Sequence, residues 1–261
     1  MIKKIIKQFT DWIVIFKKII FHSKIRKYVF SNPRSLLYTK YDSVIENALY
    51  GKANELLRNR ELEITIEDYL SSYNIENKKE EINIPIKYQG PTDSISVFET
   101  QVLCKLTKGI KAKSIFEIGT FEGRNAVNIA NNIDKNAKFY TLDLPQKICK
   151  FEVGKYIKEK NHKIVQLFGN SEKFDFSKFH NKIDIMFIDG YHHYKTVLLD
   201  SENAMKCVKD NGFIVWHDLD FTQLGTSYAI FQICKKYNLQ LKKISGTVMG
   251  IARKKPGNII K

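Results

Sequence analysis

From residue 95 onward, apolar and polar positions alternate with the regularity of strands separated by helices. The spacing predicts a helix over 96–107, a strand over 114–118, a glycine turn, and a helix from about 122 to 131. Further strands are expected at 138–142, 163–167, 183–188 and 213–216, with a helix over 197–208 between the last two. Strands joined by helical crossovers build a parallel sheet covered on both faces, an α/β fold whose ligands bind outside the carboxyl ends of the strands. The residues just after each strand are therefore the candidate site.

Earlier in the chain the pattern changes. Ile2, Ile5, Ile6, Phe9, Trp12, Ile13, Phe16, Ile19 and Ile20 share one stripe of a helical wheel, with Lys3, Lys4, Lys7, Asp11, Lys17 and Lys18 opposite. The longest apolar run is broken by Lys17 and Lys18 and falls far short of the ~20 residues a spanning helix needs. No small-residue cleavage site follows, so neither a membrane span nor a signal peptide is expected. Such a basic helix suits an anionic membrane surface, through residues 1–21, or a docking face on the main domain or on a second subunit of a homo-oligomer. Residues 31–90 include a turn at Asn32-Pro33, weak helical signal at 44–58 and a polar, linker-like stretch at 71–81. Gln89-Gly90-Pro91 marks the expected start of the core. The organisation expected is a basic helix over 1–30, an accessory helical or irregular segment over 31–90, the α/β domain over 91–256, and a tail over 257–261.

Composition narrows the picture. A chain of 261 residues with 43% hydrophobic and 27% charged residues can bury one sizeable α/β core and is not a disordered chain. The four cysteines, Cys104, Cys149, Cys207 and Cys234, form no C-x-x-C pair, which points to a reducing, cytoplasmic setting, with peripheral attachment at the inner face of the membrane as the finer expectation. The formal charge is +15, and residues 1–30 hold eight Lys/Arg against Asp11 alone. That excess attracts polyanions, yet no appended RNA-binding motif is recognisable, so nucleic acid is not the expected partner.

The strand ends carry the chemistry. After the first strand comes Glu117-Ile118-Gly119-Thr120-Phe121-Glu122-Gly123, where Gly119 permits a tight turn and Gly123 lets the next helix approach a ligand. Asp143 follows the second strand, twenty residues beyond Gly123, at the spacing of an acid that accepts hydrogen bonds from ribose hydroxyls. An adenosine-type ligand is expected. Asp189 ends the fourth strand and precedes His192 and His193, and His217-Asp218 ends the fifth. Histidine is suited to taking a proton near neutrality.

In these motifs the chain, over about 95–254, resembles a class I S-adenosylmethionine-dependent methyltransferase, in particular methyltransferase family 24. The resemblance is carried by EIGTFEG at 117–123, FYTLDLP at 139–145, FGNS at 168–171, DIMFIDGYHHY at 184–194, NGFIVWHD at 211–218 and GTVMGIA at 246–252. Phe121 stands where the commoner G-x-G-x-G pattern has its middle glycine, as in catechol-type O-methyltransferases. The resemblance implies a Rossmann-like sheet of seven strands whose last two, at 240–244 and 247–253, form an antiparallel hairpin. It places Glu117, Gly119 and Thr120 near the methionine moiety, Asp143 and Leu144 at the ribose, and Asn170 and Ser171 at the adenine, with Phe121, Gly123 and Asp189 also bordering the cofactor. By the catechol-type pattern Asp189, His217 and Asp218 would hold a divalent ion, Mg²⁺ or Mn²⁺, and His192, or its neighbour His193, would be the base. The alternative is that these groups line a metal-free acceptor pocket. The implied activity is O-methylation of a small molecule or a glycan precursor. The alternatives are an RNA or other N-methyltransferase, although the Asn/Asp-Pro-Pro-aromatic tetrad is absent, and a non-catalytic S-adenosylmethionine-binding protein. A nicotinamide-dependent enzyme would want G-x-G-x-x-G, which this turn lacks.

Overall fold

The computed structural model describes residues 50–75, 81–89, 95–157 and 163–257. The basic helix expected within 1–30 and the Asn32-Pro33 turn lie outside the described residues. The chain divides into two compact units, Met1–Arg58 and Asn59–Lys261. In the first, helix α1 spans Lys52–Leu57.

The second unit begins with β1 (Glu63–Ile64) and α2 (Ile66–Ser71), followed by α3 (Val97–Gly109), β2 (Ser114–Ile118), α4 (Arg124–Asn132), β3 (Lys138–Asp143) and β4 (Ile164–Phe168). After these come β5 (Ile183–Ile188), α5 (Tyr194–Cys207), β6 (Val208–Trp216), α6 (Leu224–Lys236), β7 (Lys242–Ile244) and β8 (Gly250–Arg253). The sheet order is β1-β7-β8-β6-β5-β2-β3-β4. Every pairing is parallel except those of β8 with β6 and β7. This is the expected Rossmann-like α/β sheet with its terminal hairpin.

The sheet has eight strands where seven were expected. The additional one, β1, comes from the stretch read as accessory, and Thr65 helps fix it there. Its hydroxyl accepts from Asp68 N–H at 3.1 Å and caps α2, which turns Tyr69 and Leu70 into the core beside Leu103, Leu106, Phe139, Phe213 and Ile251. Helix α6 was not anticipated. Its opening Gly225-Thr226-Ser227 are weak helix formers, and packing against α5 fixes the segment instead.

Ser96 and Glu99 form a reciprocal capping box that starts α3. Helix α4 presents one polar row to the segment before the core. Arg124 Nη1 donates to the carbonyls of Lys87 and Gln89, each at 3.2 Å. One turn on, Asn128 Nδ2 donates to Tyr88 O at 3.1 Å. A further turn on, Asn132 Nδ2 donates to Asn83 O at 2.8 Å and its Oδ1 accepts from Asn83 N–H at 3.0 Å. Residues four apart share a helix face, so this row grips the backbone of 83–89.

Candidate active site

Sheet-like hydrogen bonding runs one step past the strands. Gly119 N–H donates to Leu142 O at 2.9 Å, Asp189 N–H to Ile118 O at 2.8 Å and His217 N–H to Ile188 O at 3.0 Å. The residues that follow β2, β5 and β6 are thus held in a row by the backbone. They open into a cleft of about 840 Å³ at the carboxyl edge of the sheet, the place where such sheets bind ligands.

One half of the cleft is built for close approach. Gly119 has φ +103°, and a Cβ there would lie 1.9 Å from the Asp189 carbonyl oxygen. Gly123, at φ +84°, is the left-handed N-cap of α4, and its missing side chain leaves room for Ile157. Phe121 takes φ +48°, and its ring leans on Phe151 at a centroid distance of 4.6 Å. Asp143 Oδ1 accepts from Leu144 N–H at 2.7 Å and Oδ2 from Phe121 N–H at 2.8 Å. A carboxylate has about four acceptor positions, so two stay available to a diol.

Glu117 forms the floor and is 1% exposed. Asn125 Nδ2 donates to its Oε1 at 2.7 Å and Thr141 Oγ1 to its Oε2 at 2.6 Å. The Thr120 hydroxyl lies 2.7 Å from that of Thr141. Burial pushes the Glu117 carboxyl up to about 8; the two hydrogen bonds oppose this, and Asp189 and Asp143 add to it. Asn125 Oδ1 is buried with no hydrogen-bond partner among the described residues. At the far wall lie Asn170 and Ser171. Asn170 Oδ1 is turned back on its own loop, where it accepts from Glu172 N–H at 2.9 Å.

The other half holds the ionisable groups. His192 Nδ1 lies 2.6 Å from Asp218 Oδ2. Asp218 itself sits at φ +59°, a left-handed conformation that costs a non-glycine residue energy and is common at functional sites. The bond to Asp218 raises the His192 pKa against the effect of burial. Burial would raise Asp218, but His192 and His217 together hold it well below the usual carboxylate range. Burial also pushes Asp189 up to about 6. His193, the other base candidate, does not line the cleft; it is exposed and stacks on Tyr191 at 6.0 Å.

The donor atoms of Asp189, His192 and Asp218 all lie within 4.8 Å of one another. His192 therefore takes the place in the converging set that sequence gave to His217. His217 is instead enclosed, with Nε2 at 3.5 Å from Glu99 Oε2 and Nδ1 at 3.4 Å from Asp189 and 3.2 Å from Asp218. Two carboxylates and an imidazole are a donor set that a divalent ion of the Mn²⁺ type accepts, and here Asp218 is hydrogen-bonded to His192. Sequence reading missed Glu99 and Asn125 as site residues. The Ser96-x-x-Glu99 spacing was visible as a helix cap, but its proximity to His217 is set by the fold.

Comparison with known proteins agrees with this architecture. Residues 116–219 match the model of a family described as a methyltransferase domain, methyltransferase family 24. No curated protein matches the sequence. Among solved structures, the chain is similar to an O-methyltransferase of tomaymycin synthesis from Streptomyces achromogenes, solved with S-adenosylmethionine. The two share 14% identity and a TM-score of 0.50, over 73% of this chain and 96% of that one. It is also similar to a candidate caffeoyl-CoA O-methyltransferase from Staphylococcus aureus, at 12% identity and a TM-score of 0.51, over 81% of this chain and 99% of that one. A candidate O-methyltransferase from Klebsiella pneumoniae gives 12% identity and a TM-score of 0.50 over the same shares. At these identities the likeness speaks for the fold, and the family match gives residues 116–219, which carry the strand ends around the cleft, as a methyltransferase domain of the family 24 type.

Proposed function

We propose that the protein methylates a hydroxyl of a small molecule, a glycan precursor being one such acceptor, with S-adenosylmethionine as donor. The observation that carries this reading is the His192–Asp218 pair, 2.6 Å apart, on the same cleft as the glycine turn and Asp143. Glu117 and Asn125 would meet the ammonium end of the cofactor, Asp143 the ribose diol, and Asn170 with Ser171 the adenine. When bound, the cofactor supplies a methyl on a sulfonium; the acceptor oxygen bonds to that carbon as the C–S bond breaks and its electron pair stays on sulfur.

The chain's own part is alignment and proton removal. With Nδ1–H donated to Asp218, His192 has Nε2 left to take the acceptor's hydroxyl proton, which it later returns to water. Asp218 fixes that tautomer and stabilises the imidazolium as it forms. The test is calorimetric titration with S-adenosylmethionine, followed by transfer of labelled methyl to catechol and to hydroxylated sugars, with amines in parallel. No cofactor binding overturns the reading, and transfer to amines alone overturns its hydroxyl specificity.

Among the described residues, no helix is long and apolar enough to cross a membrane. For the N-terminal stripe we infer reversible attachment to anionic membrane, supported by nine apolar positions opposite lysines that each add about 1 kcal/mol near such a surface. Co-sedimentation of the full chain with phosphatidylserine vesicles should weaken with salt and with Lys3, Lys4 and Lys7 changed to Glu. Partitioning indifferent to both would make the stripe a packing or subunit face.

A further inference from the structure

The methyl donor ends in an amino acid whose ammonium and carboxylate sit on one carbon. Glu117 and Asn125 account for the ammonium. For the carboxylate, Arg124 is the one Lys or Arg among the described residues that line the cleft. It directly precedes Asn125, whose Nδ2 donates to Glu117 Oε1 at 2.7 Å. The cation and the ammonium site therefore share the first turn of α4, as two charges on one carbon require.

The guanidinium is held on several sides. Its Nη1 hydrogens go to the carbonyls of Lys87 and Gln89, Nε donates to Glu122 Oε2 at 2.9 Å, and the group lies over the Tyr156 ring at 4.2 Å. Tyr156 meets Tyr88 edge to face at 5.8 Å and donates its backbone N–H to Glu122 O at 3.0 Å. Nη2 approaches the same Glu122 oxygen at 2.9 Å. A guanidinium has five N–H donors, and these contacts engage at most four, two on Nη1, one on Nε and one on Nη2. The last Nη2 hydrogen has no partner among the described residues.

The local charge also favours an anion. Glu122 Oε1 lies 4.0 Å from Lys155 Nζ, so one carboxylate faces two cations and the balance is positive. The Arg124 side chain is only 18% exposed, which lessens the screening of its charge. Gly123, the N-cap, gives no side-chain hydrogen bond to the first turn of α4, and the N–H groups at such a helix start favour negative charge at the same place.

We propose that Arg124 binds the carboxylate of the methyl donor through its remaining Nη2 hydrogen, with the carbonyls of Lys87 and Gln89, Glu122 and Tyr156 holding the guanidinium ready. The inference rests on the S-adenosylmethionine reading of the cleft. A planar fork already fixed by its neighbours loses little freedom on meeting an anion. Residues 87–89, which precede the core, thereby take part in recognising the donor.

Calorimetric titration of the full chain with S-adenosylmethionine and with decarboxylated S-adenosylmethionine, which lacks only the carboxylate, tests this. Wild type should prefer S-adenosylmethionine by about 10- to 100-fold, the range for a hydrogen bond between charged groups. Arg124→Gln should bring the two affinities together, weakening S-adenosylmethionine and leaving the analogue nearly as before. Equal binding of the two ligands by wild type overturns the proposal. So does a preference that survives in Arg124→Gln, or a loss in that variant that is the same for both ligands and so marks a purely structural clasp. Should Arg124→Gln fail to fold, Arg124→Lys, which keeps the charge without the fork, decides beside the wild-type comparison: a reduced preference supports the proposal and an undiminished one overturns it. Wild type that binds neither ligand brings down the S-adenosylmethionine reading and this proposal with it, a result distinct from equal binding.

Discussion

The backbone N–H of Phe121 donates to Asp143 Oδ2 over 2.8 Å, so the turn after β2 and the end of β3 form one hydrogen-bonded unit. The acid assigned to the ribose also fixes the residue that replaces the motif's middle glycine. Asp143→Ala should therefore lower S-adenosylmethionine affinity by about 2 kcal/mol, close to thirtyfold. Calorimetric titration reads this directly, and unchanged affinity would contradict the cofactor's placement.

For the His192–Asp218 pair the prediction is a change in pH profile. A base works only unprotonated, and the bond to Asp218 raises the His192 pKa, so turnover should climb with pH through that raised value. Asp218→Asn should move the climb to lower pH while lowering the plateau by roughly 10²-fold or more. His192→Ala should remove the climb. Profiles of kcat on an acceptor found by the labelled-methyl assay check both.

Glu117 makes stability depend on pH in the unusual direction. Its folded value of about 8 lies above the ordinary carboxylate value of about 4.3, so the folded state binds this proton more tightly. The stability it contributes is complete at low pH and is lost as pH rises from about 4 through 8. Without cofactor, Glu117→Gln should melt above wild type at alkaline pH, with the advantage shrinking toward mild acid; thermal melts across that range measure it. An ammonium group arriving beside Glu117 would favour the carboxylate, so cofactor binding should release protons. Calorimetry in buffers of different ionisation enthalpy would show this.

A fourth expectation concerns the turn itself. Gly119→Ala would bring a methyl group to 1.9 Å from the Asp189 carbonyl at φ +103°, and no flexible side chain is there to yield. A loss of at least about 2 kcal/mol is expected from the backbone conformation and the clash together. Urea denaturation would measure it.

How much of this was legible depended on distance along the chain. Strands at 114–118 and 183–188 were readable to the residue, because strands covered on both faces are short apolar runs between polar ends. The two-residue β1 carries too little pattern to see, and α6 begins with residues that disfavour helices. Within the site, the glycines and Asp143 belong to local turn patterns, and they line the cleft. The choice between His192 and His193 depends on how one loop projects two adjacent rings. Glu99 lies on another element altogether, so only the fold could bring it to His217.

The row Arg124, Asn128 and Asn132 on α4 has a practical consequence for any attempt at a smaller enzyme. The family domain begins at residue 116, and a form cut there, or at the Gln89-Gly90-Pro91 boundary, would strip α4 of the carbonyls and N–H that satisfy its polar row. Two carboxamides, at present nearly closed off from solvent, would then have to find water. Gly123 and Asn125 sit on the first turn of the same helix, so shortening the chain from the front would be felt first where the methyl donor is expected to lie.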